Sequence, residues 1–422
     1  MARPGLGRDS TDDDHGPTPV IDSHSAVAAV FREEAGRLTA WLVRSLGDFS
    51  VAEEIVQDAL VAALEQWSVA GVPDSPRAWL HTVAKRRAID RVRREIRFNE
   101  KLPLLEMPIP QEPDNRLELI FTCCHPALAA ESQIALTLRA VCGLTTAQIG
   151  RAFVVSESTV AQRIVRAQRK IAQAGIPYRV PREDELDARL KQVLVVLYLT
   201  FNEGYLSGHG PSPERREVAE DAAWLAQLLS KLFPSHPEVL GLLALMRLQL
   251  ARAEARFNAA GELVLLPDQD RGLWDHAAIR AAIGLLEEAA ALQRPGAYQL
   301  QAAIAACHAE ARSWAETDWP QILLLYDMLL RLAPSPVAQL NRAVALRYVL
   351  GPEAALAEVD RLASSLDTYH LLHAVRADLL HALGWRDQAQ AAEQRALGLT
   401  HNAAERTLLR RRLCDDAFGI PC

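Results

Sequence analysis

Apolar Ala and Leu residues alternate with Arg, Glu and Gln at spacings of three and four over most of the chain. This spacing is that of an amphipathic α-helix, in which one face is apolar. The alternating runs of Val, Ile, Thr and Tyr that mark β-strands are nearly absent. The pattern therefore predicts an all-α protein.

Segments rich in proline, glycine and aspartate interrupt the helical pattern. Residues 1–22 have little to bury, and the four prolines of residues 99–115 cannot continue a helix. We expect the first segment to be a disordered tail and the second to be a linker. The predicted domains are then a first helical domain at 23–98, a second at 116–178 and a third at 183–422.

The length and composition agree with three domains. The chain has 422 residues, of which 50% are hydrophobic, and a domain usually takes roughly 100–200 residues. No apolar stretch approaches the roughly 20 residues that span a bilayer, and the first residues contain no apolar signal core. We therefore expect a cytoplasmic protein that does not enter a membrane. The six cysteines form no CxxC pair and are expected to be reduced thiols.

The charge is unevenly distributed. The formal net charge is -7, yet residues 77–101 hold nine Lys and Arg against three acidic residues, and residues 139–170 hold six against one. A basic run is often only a solvated helix face. Two such islands in an acidic protein favour two contacts with nucleic acid.

The first domain combines an acidic helix and a basic helix. Ser50 and Glu53 form a capping-box pattern, which predicts a helix from there to about Trp67 with Leu64 among its buried residues. Its outer surface is acidic with an apolar centre, and it is either solvated or a docking surface for a basic partner. The candidate docking residues are Glu54, Gln57, Asp58, Val61 and Glu65.

Ser75 and Pro76 predict the start of the basic helix. Its exposed face suits neutralisation of a DNA backbone. The loop at 68–75, beside Trp79 and His81, is the nearest candidate for a base pocket, although Trp79 is favoured as a core residue. The candidate DNA contacts on this helix are Lys85, Arg86, Asp90, Arg93, Arg94 and Arg97.

The second domain contains a helix-turn-helix pattern. Thr145 with Gln148 caps a short helix, and Ser156 caps a longer one with apolar residues at i, i+4, i+7 and i+11. The second helix of this motif enters the major groove, where its first residues contact bases and later cations hold phosphates. The alternative is an ordinary helical hairpin. The candidate contacts are Ser158, Thr159, Gln162, Arg163, Arg166, Arg169 and Lys170.

The order of these segments resembles an RNA polymerase sigma factor of the extracytoplasmic-function (ECF) type. The resemblance lies in residues 50–58, 76–80 and 84–94, followed by the helix-turn-helix. It implies that the acidic helix binds the clamp helices of core RNA polymerase. It further implies that the basic helix and its loop open and hold the -10 element of promoter DNA, and that the second domain reads the -35 element. Gly150 stands where members often have alanine.

The third domain shows a repeat. Trp319, Pro352 and Trp385 are 33 residues apart, close to the tetratricopeptide (TPR) period of about 34. This predicts an α-helical, TPR-like solenoid, which either binds a partner on its concave surface or is a structural extension. The domain also resembles the C-terminal extension of one group of these sigma factors, through the segments 201–205, 266–271, 298–304 and 340–343.

The polar residues of these segments lie beside apolar helix faces. Unpaired burial is unfavourable, so they either bond between helices, which is the favoured interpretation, or line a site.

The sequence shows no catalytic motif and implies no cofactor. A phosphate loop, a dinucleotide-binding GxGxxG and an HExxH zinc motif are absent. His370 and His373 have a spacing that could bind a metal, but structural histidines are favoured. We therefore predict an alternative sigma factor whose C-terminal domain regulates it or binds a protein partner or ligand. The alternative is a helix-turn-helix regulator with a TPR-like sensor domain.

Overall fold

The computed structural model describes residues 23–94, 116–153, 155–206, 213–400 and 402–418. These residues form helices joined by short turns, and within them the only β-structure is a single antiparallel bridge between Phe257 and Leu263. The all-α prediction is confirmed. The predicted tail at 1–22 and the whole of the predicted linker at 99–115 lie outside the described residues, as does Arg97.

The described chain contains nineteen α-helices. In chain order they are α1 (Ser23–Leu46), α2 (Phe49–Ala70), α3 (Pro76–Arg94), α4 (Arg116–Cys123), α5 (Ala130–Ala140), α6 (Thr146–Phe153), α7 (Glu157–Gln173), α8 (Glu183–Leu206), α9 (Pro213–Leu232), α10 (Pro237–Leu250), α11 (His276–Ala291), α12 (Ala297–Glu310), α13 (Trp319–Leu332), α14 (Pro336–Leu350), α15 (Pro352–Arg361), α16 (Ala363–Leu366), α17 (His370–Ala382), α18 (Arg386–Leu399) and α19 (Ala403–Phe418). Short 3-10 turns occur at Ala253–Arg256, Leu266–Asp268, Arg271–Leu273 and Trp314–Glu316. Among the described helices, none has the length and apolar character needed to cross a membrane.

The start of α2 differs from the prediction. The N-cap is Asp48, whose Oδ1 accepts hydrogen bonds from the backbone N–H groups of Ser50 at 2.9 Å and Val51 at 3.1 Å. The predicted capping box at Ser50 is therefore wrong. The carboxylate of Asp48, two residues before Ser50, satisfies the first N–H groups of the helix. The side chains of Ser50 and Glu53 are therefore available for other contacts.

The residues fall into two compact units. The described parts of Met1–Cys123 form the first unit together with Leu136–Leu144 and Arg166–Val180. The second unit contains Cys124–Ala135, Thr145–Val165 and the described part of Pro181–Cys422. The three predicted domains are drawn from sequence motifs and do not coincide with these two compact units. The division into three domains stays a prediction.

In the first unit, α1, α2 and α3 pack against one another, and α1 also contacts α4. The core between them contains side chains that are at most 5% exposed, such as Leu42, Ile55 and Leu80. α2 presents one apolar side to this core, and its other side remains at the surface. The fold of the unit thereby determines which residues of α2 and α3 a partner can reach.

In the second unit, helices that follow one another in the chain pack against each other. Three helix pairs begin at Trp319, Pro352 and Arg386, so the intervals between them are 33 and 34 residues. These pairs are α13 with α14, α15 with α17 and α18 with α19. The C-terminal part is therefore helical with a regular interval, and its assignment to the TPR class stays a prediction.

α10 is the central helix of the earlier part of this unit. Most of its side chains are buried, and it contacts α8, α9, α11 and α12. Gly241 lets α10 and α12 approach closely, because a Cβ at this position would lie 2.7 Å from the backbone N of Gln299. No real Cβ contact is that short, so glycine is required here unless one of the helices moves.

We predict that Gly241→Ala destabilises the protein. The added methyl group would meet the backbone of Gln299, which cannot turn away, and overpacking of this kind typically costs about 1–3 kcal/mol. Gly284→Ala on α11 is the matched control, since a Cβ there meets nothing within 4 Å. It should be neutral or gain about 0.5–1 kcal/mol through helix propensity. Urea unfolding followed by circular dichroism tests both variants, and equal stability of the two would contradict the close approach.

Candidate functional site

The acidic surface of α2 faces solvent beside α3. Asp58 Oδ2 accepts a hydrogen bond from Arg87 Nη1 at 2.7 Å, and Glu54 Oε1 accepts one from Arg91 Nη1 at 3.4 Å. The four side chains are between 36% and 58% exposed. Ion pairs this exposed contribute about 0–1 kcal/mol, so both carboxylates remain available to an external partner.

The centre of the same surface is apolar. Val61 is 53% exposed and Leu64 is 44% exposed, while Gln57 and Glu65 lie beside them, half-buried and exposed respectively. The prediction that Leu64 is buried is wrong, because the buried stripe runs through Ala63 and Trp67 and leaves Leu64 at its edge. Leu64 is thus a surface residue of the candidate docking site that the sequence interpretation missed.

The cationic side chains of the basic helix α3 lie on two sides of it, one facing α2 and one facing solvent. Arg87 and Arg91, which were not among the predicted contacts, face the carboxylates of α2. Among the predicted contacts, Lys85 is partly exposed, and Arg86 and Asp90 are exposed. Arg93 and Arg94 belong to α3, but their side chains lie outside the described residues, as does the whole of Arg97.

The loop between α2 and α3 is shorter than predicted. α2 continues to Ala70, so the loop contains residues 71–75 rather than 68–75. His81 is 5% exposed, and its ring lies 4.7 Å from that of Trp41. Burial, reinforced by Arg77 and Lys85, lowers the pKa of His81 to about 4. His81 is therefore a neutral core residue, and its predicted place beside a base pocket is wrong.

Trp79 packs edge-on against the buried Trp67, with ring centroids 5.3 Å apart, and is itself half-buried. Its ring therefore extends the core toward the loop. The part of this region that remains open to a partner is the loop at 71–75.

Each helix of the helix-turn-helix begins at a side-chain N-cap. Thr145 Oγ1 accepts a hydrogen bond from the Gln148 N–H at 3.1 Å, and Gln148 Oε1 accepts one from the Thr145 N–H at 2.8 Å. Ser156 Oγ accepts a hydrogen bond from the Thr159 N–H at 3.1 Å. Both predicted caps are confirmed. They succeed as predictions because each cap uses residues within one helical turn.

Gly150 makes the turn between α6 and α7 tight. The Val155 N–H donates to the Gly150 carbonyl at 3.0 Å, and a Cβ at position 150 would lie 2.9 Å from the Val155 carbonyl oxygen. An alanine would therefore force the turn outward. This contact explains the departure of Gly150 from the residue that is frequent in the family it resembles.

The outer face of α7 is cationic. Val160, Ile164 and Ala167 are at most 5% exposed and hold the other face against the protein. All seven predicted contacts are partly or fully exposed: Ser158, Thr159, Gln162, Arg163, Arg166, Arg169 and Lys170. The hydroxyl groups of Ser158 and Thr159 bond to Ser156 Oγ at 2.9 and 2.7 Å. The four cations form no ion pair with the residues that the structure describes, so they are open to an external anion.

A polar cluster ties the second half of α7 to the first turn of α2 within the first unit. Glu53 Oε1 accepts a hydrogen bond from Arg139 Nε, and Glu53 Oε2 accepts one from Gln168 Nε2 at 2.9 Å. Ser50 Oγ donates to Gln168 Oε1 at 3.2 Å. The sequence interpretation missed this cluster, because no local pattern pairs Glu53 with residues 86 and 115 positions away.

In the second unit, the first helix of the motif is supported by the C-terminal region. α6 packs on α8 and α9. Gln192 of α8 also donates a hydrogen bond to Gln133 Oε1 at 3.2 Å. The C-terminal helices therefore form part of the packing on which the helix-turn-helix depends.

The histidine pair on α17 is used in protein contacts. His370 Nε2 lies 2.8 Å from Glu405 Oε2, and His373 Nε2 lies 2.7 Å from the Asp367 carbonyl oxygen. Across the described part of the chain, no group of three or more His, Cys, Asp or Glu side chains is arranged to hold a metal ion.

Three protein families match successive parts of the chain. Residues 30–98 match Sigma-70 region 2, and residues 118–171 match Sigma-70, region 4. Residues 189–290 match a family of unknown function, DUF6596. The first two matches cover α2, α3 and the helix-turn-helix, and the third covers the first helices of the C-terminal region.

Similar proteins extend these matches. An uncharacterized protein, R00370 from Rhizobium meliloti, is 44% identical over 386 residues, which are 88% of this chain and 91% of that protein. The ECF RNA polymerase sigma factor SigL from Mycobacterium tuberculosis is 32% identical over 34% of this chain and 85% of SigL. The ferric citrate uptake sigma factor FecI from Escherichia coli is 29% identical over 31% of this chain and 80% of FecI. No solved structure matches the chain.

We predict that the first unit loses stability in mild acid through His81. The pKa of His81 is about 4 in the folded protein, below its ordinary value of 6.5, so the unfolded chain binds the proton more strongly. The neutral His81 ring contributes its full stabilisation above pH 6.5, and this stabilisation is lost as the pH falls toward 4. At pH 5 the loss amounts to about 2 kcal/mol of the free energy of unfolding.

Urea unfolding of the wild type and of His81→Gln at pH 7.5 and pH 5 tests this expectation. Both proteins share the other histidines, so the difference between their pH dependences isolates His81. Parallel pH dependences in the two proteins would contradict a buried neutral ring.

Proposed function

The chain belongs to the ECF RNA polymerase sigma factors, and we propose that it binds core RNA polymerase through α2 and promoter DNA through α3 and α7. It is a transcription initiation factor that gives the polymerase its promoter specificity, and it is not an enzyme. The observation that carries the proposal is the exposed face of α7, where four cations that form no ion pair with the described residues follow a capped turn. The proposed location is the cytoplasm, where the polymerase acts.

The proposed polymerase contact is the outer surface of α2. Exposed apolar side chains rimmed by charge are typical of protein interfaces. Val61 and Leu64 supply the apolar centre, and Glu54 and Asp58 supply the acidic rim. Because the pairs with Arg87 and Arg91 are exposed and therefore weak, a basic partner can replace them at low cost.

The proposed -10 contact is the free side of α3 with the loop at 71–75. Arg86 is exposed and Lys85 is partly exposed on this helix, so both can neutralise phosphates. Arg87 and Arg91 stabilise the α2 carboxylates instead. The intramolecular pairs thus separate the cations of one helix into a structural set and a DNA-binding set.

The proposed -35 contact is α7. Thr159, Gln162 and Arg163 lie near its start, where a recognition helix meets base edges. Arg166, Arg169 and Lys170 lie farther along the helix, where a recognition helix holds phosphates. The proposed role of the C-terminal region is to regulate this contact or to bind a partner, and the packing of α6 on α8 and α9 supports such a role.

We predict that Asp58→Arg abolishes promoter-directed initiation. The variant places a cation on the acidic rim of the α2 surface, where it repels a basic partner and Arg87. Run-off transcription with purified core polymerase, together with core-binding measurements, tests this expectation on the full chain. The control is Asp360→Arg, because Asp360 is also an exposed carboxylate that pairs with an arginine, at 2.8 Å, but lies on α15.

Asp58→Asn separates the effect of the added cation from the loss of the ion pair and should retain most initiation. Normal core binding by a folded Asp58→Arg variant would contradict the α2 contact. If no form of the chain binds core polymerase but duplex DNA is still bound, the results would favour the alternative function, a helix-turn-helix regulator.

We predict different outcomes for two arginines of α7. Arg163→Ala should lose discrimination between the cognate -35 sequence and altered sequences, at a cost of about 1–3 kcal/mol for the cognate site. Arg169→Ala should weaken binding to all sequences about equally and reduce the salt-dependence slope by about 1. Fluorescence anisotropy over a salt series measures both effects. Arg361→Ala, at an exposed arginine of α15, is the control. Indistinguishable behaviour of the two α7 variants would contradict the assigned roles.

A further inference from the structure

A cavity of about 450 Å³ lies in the second unit among α8, α10, α12, α13 and α14. Its volume falls within the range of small-molecule sites, which is roughly 300–1,000 Å³. Aromatic rings form much of its wall: Tyr198, Phe201, Tyr205 and Tyr326. The proposed contacts with polymerase and DNA use none of these residues, so the cavity has no role in the function described above.

One wall of the cavity carries an arginine without a counter-ion. Arg252 donates a hydrogen bond to Gln249 Oε1 and lies 5.7 Å from the centre of the Trp274 ring. It forms no ion pair with any described residue, and no Asp or Glu lines the cavity. Burial lowers the pKa of Arg252, since the charged form is separated from water. A desolvated cation of this kind is stabilised by an anion that enters the cavity.

Two neighbouring arginines are also without carboxylate partners in the described chain. Arg271 Nη1 donates to the carbonyl oxygens of His308 and Ala311, both at 2.7 Å, and the Arg256 guanidinium lies 4.0 Å from the centre of the Tyr205 ring. Burial and then Arg252 lower the pKa of Arg271, and the opposing field of Glu316 is weaker. Three arginines therefore lie at or beside the cavity without a carboxylate partner among the described residues.

Other arginines of the same unit show the contrast. Arg342 pairs with Asp327 and Glu358, both at 2.6 Å, and Arg376 pairs with Asp360 at 2.8 Å. Interhelical ion pairs are thus the usual arrangement here. Arg252, Arg256 and Arg271 beside the cavity lack such pairs, and a bound anion could supply the negative charge that they lack.

The cavity also presents polar groups without partners. Asn202 of α8 and Asn341 of α14 line it, and neither side chain makes a hydrogen bond to the described residues. His308 lines it as well, and its buried Nδ1 has no hydrogen-bond partner. Gln301 is different, because it accepts a hydrogen bond from Tyr198 Oη at 3.2 Å and donates one to the Ala297 carbonyl at 3.3 Å.

A carboxamide carries both a donor and an acceptor, which is the complement of an amide group. A neutral imidazole can likewise donate or accept a hydrogen bond. Burial, with Arg252 and Arg271, lowers the pKa of His308 to about 4, so this ring is neutral at pH 7.

We propose that this cavity binds an organic carboxylate that also carries an amide group and an apolar side chain. Arg252 holds the carboxylate, Asn202 and Asn341 hold the amide, and the aromatic wall contacts the side chain. Two sources provide this chemistry, namely the C-terminal end of a peptide and a free N-acylated amino acid. Both fit a cavity of about 450 Å³.

Isothermal titration calorimetry on the full chain tests the proposal. The probes are N-acetyl-phenylalanine and N-acetyl-leucine, their C-terminal amides, and tetrapeptides that end in phenylalanine or leucine with free or amidated C-termini. We expect the free acids to bind and the amidated forms to bind at least about tenfold more weakly, because amidation removes the charge that pairs with Arg252. Tighter binding of the tetrapeptides than of the N-acetyl amino acids identifies a peptide end, and the reverse identifies the small acid.

Two variants locate the site. Arg252→Gln should weaken binding of the free acids about tenfold or more, and Asn341→Ala should weaken it by a similar factor. Asn341 is exposed and without hydrogen bonds to the described chain, so its variant should fold normally even if Arg252→Gln does not. Gln388→Ala, at an exposed amide of α18 outside the cavity, is the control and should leave binding unchanged. Equal binding of acids and amides, unchanged binding by Asn341→Ala, or no binding of any free acid would overturn the proposal.

Discussion

The first helix of the helix-turn-helix packs against the C-terminal helices. α6 has eight residues, and a helix of that length is not stable in water without tertiary packing. It packs on α8 and α9, which the sequence assigns to a separate domain. The caps at Thr145 and Ser156 determine where the two helices of the motif begin, but the packing holds the first of them in place. The proposed DNA-reading motif therefore includes a helix that packs on the C-terminal region.

Electrostatic pairing inside the protein distinguishes the cations of α3 from those of α7. Arg87 and Arg91 form exposed, weak pairs with carboxylates of α2, whereas the cations of α7 have no such partner among the described residues. The net charge of -7 does not predict this arrangement. Binding to a polyanion such as DNA depends on local patches of charge and not on the total. The same principle applies to Arg252, which lies in an acidic chain yet lacks a counter-ion.

The features that could be predicted from the sequence are those determined by residues close together in the chain. Helical character, the caps at Thr145 and Ser156 and the cationic face of α7 follow from residues within one or two turns. The errors arose where distant residues compete. Ser50 and Glu53 have the form of a capping box, but Asp48 caps the helix and Glu53 bonds with Arg139 instead.

Burial was misjudged for the same reason. His81 could not be recognised as a core residue until its contact with Trp41 was known. The cavity could not be predicted from local patterns, since Asn202 and Asn341 are far apart in the chain and only the complete fold brings them to one space.

The position of α8 limits how the C-terminal region can act on DNA binding. This helix packs on α6 and also carries Tyr198, Asn202 and Tyr205 of the cavity wall. A ligand changes DNA binding only if it binds two arrangements of this helix with different affinity, and the effect is then reciprocal. A chain cut after residue 180 removes α8 and α9 from α6, so lost packing is sufficient to explain a loss of its activity. Substitutions at the cavity wall in the full chain leave that packing in place, and they therefore separate regulation from structural support.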